Sequence, residues 1–283
     1  MKSPEWVKNS KILTFLMILV VISNVALVTS VKAAVIDPYS QFESLRSSNP
    51  ELTRSRIGYS VDGKSIWMYA IGTQSKPVIL IDSEIHGYET GGSDALYYFM
   101  KWLTESGSTN SRAFLSNYYF KFIPIVNPDS FRIENVNTHG VNLNRNFPVG
   151  WQKTSISGPS VFSEPEAKAL AKVIETKPAL YITLHCNDGG WLDAMCQSAA
   201  TTSAQFSAIY SSFKTKCSSL GVTIWPCRRI SSVGGSSARY AASLGIKTWL
   251  IEVSGVMRPT ATVSNTNAVR LESLLLCYQP YIP

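Results

Sequence analysis

The chain has 283 residues, a formal net charge of +7 and only three histidines. It shows no lysine–arginine run, which argues against nucleic acid as a partner. All five cysteines lie beyond residue 180, and five is odd, so at least one thiol lacks an intrachain partner.

The first segment reads as a targeting signal. Lys2, Lys8 and Lys11 precede an apolar stretch over residues 12–28, and Val31-Lys32-Ala33 offers the small residues at which a signal peptidase cuts. Residues 1–34 are therefore expected to be a signal peptide, or a membrane anchor if they stay attached. Thr14, Ser23 and Asn24 interrupt a stretch already short for crossing a bilayer. The expected location is secreted or extracytoplasmic, with membrane contact only through an uncleaved leader. Losing residues 1–34 removes four lysines and one glutamate, which takes the charge from +7 to about +4. Residues 35–283 are enough for one domain with a well-buried core, expected to be a monomer.

Within that domain, strand-like and helix-like segments alternate. Residues 65–71 and 78–81 read as strands, 93–103 as a helix, and 118–126 as a long strand interrupted by Pro124. Ser163 is placed as an N-cap, followed by Pro165 in the first turn, Glu166 three residues on and an apolar pattern to Ile174. Residues 180–184 and 248–253 are short runs of the kind that form buried strands, and 203–218 reads as a helix. The alternation predicts an α/β fold, a single domain with a mixed β-sheet flanked by helices. Cys186–Cys196 and Cys217–Cys227 are open pairings for disulfides.

Ionisable residues gather at the ends of these strands. His86 and Glu89 follow one strand, His185 ends another and Glu252 lies near the end of a fourth. Beyond the carboxyl ends of strands is where open α/β sheets bind ligands. Two histidines and one carboxylate with a fourth position open form the ligand set of a catalytic zinc. Taken alone, the His86-x-x-Glu89 spacing is weak evidence for a metal, and a surface hydrogen bond is the simpler reading of the pair. His139, beside Gly140, fits no ligand position and is read as a loop histidine.

Three further segments carry a resemblance: Val126-Asn127-Pro128-Asp129, Gly140-Val141-Asn142-Leu143-Asn144-Arg145-Asn146-Phe147-Pro148, and Gly234-Gly235-Ser236 ahead of Glu252. With His86, Glu89 and His185 in order, the chain from about Asp37 onward resembles the zinc metallocarboxypeptidases of the carboxypeptidase A and B type. The resemblance implies a carboxypeptidase-like fold and one zinc ion per chain. It matches His86, Glu89 and His185 to the zinc ligands, and Glu252 to the general base that later protonates the leaving amine. It matches Asn144 and Arg145 to the groups that hold the substrate's free terminal carboxylate. A planar guanidinium suits that carboxylate as lysine does not. The implied substrate is a peptide or cell-wall peptide ending in a free carboxylate.

The chain departs from the family's pattern at three places. Asn142 stands where the family has an aspartate that holds the first zinc histidine, which predicts an altered site rather than a lost one. Ile230 stands where a tyrosine caps the substrate, with Arg228 and Arg229 just before it. Asn135 stands where short-looped relatives have the arginine that polarises the scissile carbonyl, and Arg132 is the nearby cation available to replace it. Ser237, at the position that often sets side-chain preference, is small and neutral. The expected function is a zinc carboxypeptidase. A stem-peptide amidase of the same fold and a non-catalytic zinc- or carboxylate-binding relative remain open.

Overall fold

A computed structural model describes residues 37–186, 194–195, 203–222, 227–228, 234–254 and 259–282. The chain divides into two compact units, residues 1–40 and 41–283; only residues 37–40 of the first are described, so the leader predicted over 1–34 lies outside them. No helix among the described residues is long and apolar enough to cross a membrane.

Eight strands among the described residues form one mixed sheet. They are β1 (Thr53–Tyr59), β2 (Ser65–Gly72), β3 (Val78–Ser83), β4 (Tyr119–Ile123), β5 (Leu180–Cys186), β6 (Ala194–Met195), β7 (Cys227–Arg228) and β8 (Lys247–Val253). Their order is β1-β2-β4-β3-β5-β8-β6-β7. The centre, β4-β3-β5-β8, is parallel, and antiparallel pairs extend it on both sides. Every residue of β5 is buried, as are five of the six in β3. Parallel strands covered on both faces need continuous apolar runs, and Ile79-Leu80-Ile81 and Leu180-Tyr181-Ile182 supply them.

Seven α-helices among the described residues accompany the sheet: α1 (Ser40–Ser48), α2 (Thr90–Glu105), α3 (Thr109–Asn117), α4 (Pro165–Ile174), α5 (Ser203–Ser219), α6 (Ser237–Ser243) and α7 (Ala261–Tyr278). Helix α2 lies on β5 and α7, α4 on β1, and α6 on β8 and β5. Gly92 lets α2 approach the sheet: a Cβ there would stand 3.1 Å from Ser83 Cβ and 3.2 Å from the Leu184 carbonyl. Phe99, Phe114, Phe120 and Phe122 fill the space under α2 and α3, with Phe120 and Phe122 stacked at 5.7 Å.

Several expectations shift in detail. The strand expected over 118–126 ends at Ile123, because Pro124 has no N–H for the ladder. The N-cap of α4 is Glu164, not Ser163. Pro165 at the first helical position fixes the start, and the Ser163 hydroxyl donates to Glu164 Oε1 and accepts from Asn146 Nδ2 instead. Cys186, Cys217 and Cys277 carry free thiols, so neither candidate disulfide is formed. The Cys186 thiol lies buried against the Glu89 carbonyl, 3.2 Å away. Cys196 and the side chain of Cys227 lie outside the described residues.

Asp82 is a polar exception in the sheet core. It is fully buried on β3, where the Tyr181 hydroxyl donates to Oδ2 and Thr183 Oγ1 to Oδ1, both from β5. Burial pushes its carboxyl from 3.8 up to about 6, against the opposing pull of those hydrogen bonds and of the His185 charge. The folded state thus binds the proton more tightly than the unfolded one. The stability this gives is present below pH 4 and is lost as pH rises through about 6. Replacing Asp82 with asparagine should leave the melting temperature nearly unchanged at pH 4 and raise it relative to wild type by pH 7. Thermal melts of both proteins across that range check the divergence.

Candidate metal centre

The turn after β3 carries the first two candidate ligands, and backbone bonds fix it. Val126 N–H donates to the Ser83 carbonyl and Asn127 N–H to the Glu84 carbonyl, so the chain leaving β4 runs beside it. Gly87 packs so tightly on Ser130 that a Cβ would fall 2.1 Å from the Ser130 carbonyl oxygen. Glu84 takes φ 49°, a left-handed conformation that a side chain disfavours, and it is fully buried. Glu89 then sits at the N-cap of α2, where the helix's unpaired N–H groups favour a negative charge.

The donors converge on Glu89. His86 Nδ1 lies 2.8 Å from Glu89 Oε1, and His185 Nδ1 lies 2.9 Å from Oε2. The two rings are 5.0 Å apart, and the candidate ligand atoms of all three residues lie within 4.8 Å of one another. The pull of burial on Glu89 is outweighed by the His185 charge and by hydrogen bonds from both histidines, so its carboxyl falls to about 2. Burial depresses His185, but the Glu89 charge and hydrogen bond more than reverse this and raise it to about 9. The site therefore demands positive charge. Two imidazole nitrogens and one carboxylate, all borderline or hard donors, fit zinc.

The outer nitrogen of His86 is also held. His86 Nε2 lies 3.1 Å from Asn142 Oδ1, which accepts from Asn144 N–H as well, at 2.9 Å, and caps a 3-10 turn over Leu143–Arg145. With Nε2–H donating to that amide, Nδ1 keeps its lone pair for a metal. The missing carboxylate is thus replaced by a neutral acceptor in reach. Asn144 spans the site: Oδ1 accepts from Ser237 N–H at the start of α6, and Nδ2 approaches His185 Nε2 at 3.5 Å, too long to fix a tautomer.

Glu252 stands on β8 directly beside His185 on β5 in the parallel register, so both side chains leave the same face. Its charge contributes to raising His185. Arg145 is half-buried and spends one N–H on the Asn144 carbonyl at 2.9 Å; burial without an acidic partner lowers its pKa. Arg132 takes φ 64° and donates its backbone N–H to the Gly87 carbonyl, next to His86. Its Nε is buried without a hydrogen bond, and its charge acts on Glu84 and Asp94. Asn135 is exposed, and His139 pairs with Glu164 at 2.8 Å, away from the donor cluster. Arg229, Ile230 and the Arg228 side chain lie outside the described residues.

Some residues that shape the site were not singled out by sequence reasoning. Asn146 is fully buried and ties the 146–163 loop together, giving Nδ2 to the Ser157 and Ser160 carbonyls and taking the Glu164 N–H on Oδ1. Its place two residues after Asn144 was the available signal. Glu84 and Gly87 carry no pattern a sequence displays, since what matters is a backbone angle and a contact.

The sequence model described as zinc carboxypeptidase matches residues 39–277. The chain belongs to the zinc carboxypeptidase family. That family is zinc-dependent, in keeping with the His–Glu–His cluster. Zinc carboxypeptidase A 1 of Drosophila melanogaster is 28% identical over 186 residues, 53% of this chain and 42% of its own length. Human carboxypeptidase B is 29% identical over 178 residues, 50% of this chain and 42% of its own. The chain thus spans less than half the length of these curated relatives. Among solved structures, carboxypeptidase A from Helicoverpa armigera aligns with TM-score 0.68 at 20% identity, covering 84% of this chain and 70% of that one. A murein-tripeptide amidase from Escherichia coli O157 aligns with TM-score 0.55 at 18% identity, covering 79% and 91%. At these identities the structural likeness concerns the fold.

In this carboxypeptidase-family chain, Asn142 should matter for metal affinity. Asn142→Ala removes the acceptor for His86 and should weaken zinc binding by about 10- to 100-fold, whereas Asn142→Asp should tighten it. Competition against a chelator of known affinity reads both changes.

Proposed function

We propose that this protein is a zinc carboxypeptidase that releases the last residue of a peptide ending in a free carboxylate. The observation that carries the reading is the convergence of His86 and His185 on Glu89 with Glu252 in register beside them. His86, Glu89 and His185 would hold one zinc ion. When bound, zinc supplies Lewis acidity, polarising a carbonyl and making water a usable nucleophile near neutral pH.

The remaining work falls to the protein. Glu252 takes the proton of the attacking water and passes it to the amine of the departing residue. Arg145 offers the unspent donors of its guanidinium to the terminal carboxylate, with Asn144 beside it, and so selects the last peptide bond. Asn142 orients His86. Arg132 is the cation we assign to the scissile carbonyl oxygen. Its anchoring on Gly87, one residue from His86, and its unpartnered Nε support that role. The leader-like start of the chain supports action outside the cytoplasm, where wall peptides are substrates as well as proteins.

The test is release of free amino acid from a peptide and wall-fragment library by the zinc-loaded protein. Glu252→Gln should lower turnover by about 100- to 10,000-fold with little loss of zinc. Release confined to wall fragments would move the substrate to stem peptides. Zinc binding without turnover of anything would contradict an enzyme. Arg132→Gln should cut kcat by about 100- to 1,000-fold, as expected for loss of an oxyanion donor. An unchanged kcat would remove Arg132 from the mechanism.

A further inference from the structure

A cavity of about 550 Å³ opens on the loop that follows Arg145, and two arginines, Arg145 and Arg239, line it. That volume suits one residue-sized ligand. No aspartate or glutamate is among its described lining residues. Arg145 commits one N–H to a neighbouring carbonyl, and no ion pair or hydrogen bond among the described residues engages the Arg239 guanidinium. Gln152 and Ser155 add polar side chains to the wall. Two uncompensated guanidinium groups on one cavity make a site for two negative charges.

The position of Arg239 is built rather than incidental. Ser236 caps α6, its hydroxyl accepting from Arg239 N–H, which puts Arg239 in the first turn. Phe147 N–H donates to the Gly235 carbonyl at 3.0 Å, and Gly235 N–H to the Val149 carbonyl at 2.9 Å, so the start of α6 is tied to the loop that follows Arg145. On that loop Gly150, at φ +69°, leaves the space into which Arg239 reaches. A Cβ there would stand 2.9 Å from Arg239 Nη1. Ser237, on the same helix, is fully buried and spends its N–H on Asn144. It therefore brings neither charge nor bulk to the cavity, and discrimination falls to Arg239.

We propose that Arg239 determines substrate specificity: with Arg145 on the terminal carboxylate, Arg239 takes a second carboxylate on the same residue. Preferred substrates then end in an aminodicarboxylate such as glutamate or aspartate. The assignment of the terminal carboxylate to Arg145 rests on the carboxypeptidase reading above; the second anion site stands on the cavity itself.

Two measurements on the zinc-loaded protein separate these claims. The first is kcat/KM on a pair of peptides identical except for terminal glutamate or glutamine. Wild type should favour glutamate by on the order of ten-fold or more, the scale of a hydrogen bond to a charged group. The ratio should collapse toward one in Arg239→Gln and survive in part in Arg239→Lys. A wild-type ratio near one, or a ratio that Arg239→Gln leaves intact, overturns the proposal while leaving the carboxypeptidase intact. The second measurement is calorimetric binding of glutarate against its half-amide, which needs no turnover. If neither peptide is cut, the carboxypeptidase reading fails. Tighter binding of glutarate that Arg239→Gln abolishes then still upholds the second anion site, and equal binding overturns it.

Discussion

The structure depends on one buried carboxylate held between two imidazoles. Glu89 meets His86 through one oxygen and His185 through the other, and it can do so because β3 and β5 are adjacent parallel strands. The register pairs Ser83 with Leu184, so the residues that follow each strand emerge together at one edge of the sheet. Helix α2 starts at the same place and gives Glu89 a favourable helix N-terminus. Glu252 arrives through the next parallel pairing, β5 with β8. One topological choice, four parallel strands side by side, thus positions two histidines and two carboxylates from segments far apart in sequence.

Holding that arrangement costs stability locally. Glu84 adopts a left-handed backbone two residues before His86, and its Oε2 is buried without a partner. Burial drives its carboxyl well above the usual range, and the Arg132 charge only partly opposes this. Asp82 is a second buried acid on the same strand. Such groups persist only where surrounding contacts over-determine them, here the packing of Gly87 on Ser130 and of Gly92 on Ser83 and Leu184. Strain and buried acids next to the donor cluster are what a site for a cation looks like from the side of the protein.

Much of this was legible in the sequence, for definite reasons. The core strands are continuous apolar runs, so β3, β5 and β8 could be placed within two residues of their bounds. Their polar termini then flagged His86, His185 and Glu252. The acceptor role of Asn142 was readable because an amide oxygen can do part of a carboxylate's work. Other features were not readable. Strand β1 is an edge strand whose residues are largely exposed, so it shows no apolar run. Helix α6 is only seven residues long and begins after two glycines. Arg239 sits on that short helix, and the role we assign it comes from its close approach to Gly150 in the wall of a cavity, a relation between distant segments that no local pattern encodes. Ser163 misled because serine before Pro165 looks like a cap, while its hydroxyl is engaged by Asn146 and Glu164.

The donor set is the central claim, and the neighbouring Cys186 makes it testable, since a thiol adjacent to His185 is a rival zinc ligand. X-ray absorption fine structure of the zinc-loaded protein distinguishes the two. A shell of nitrogen and oxygen alone at about 2.0–2.1 Å is the predicted result, from His86, His185, Glu89 and a solvent-accessible fourth position. A sulfur scatterer at about 2.3 Å would contradict it and place the metal on Cys186 instead.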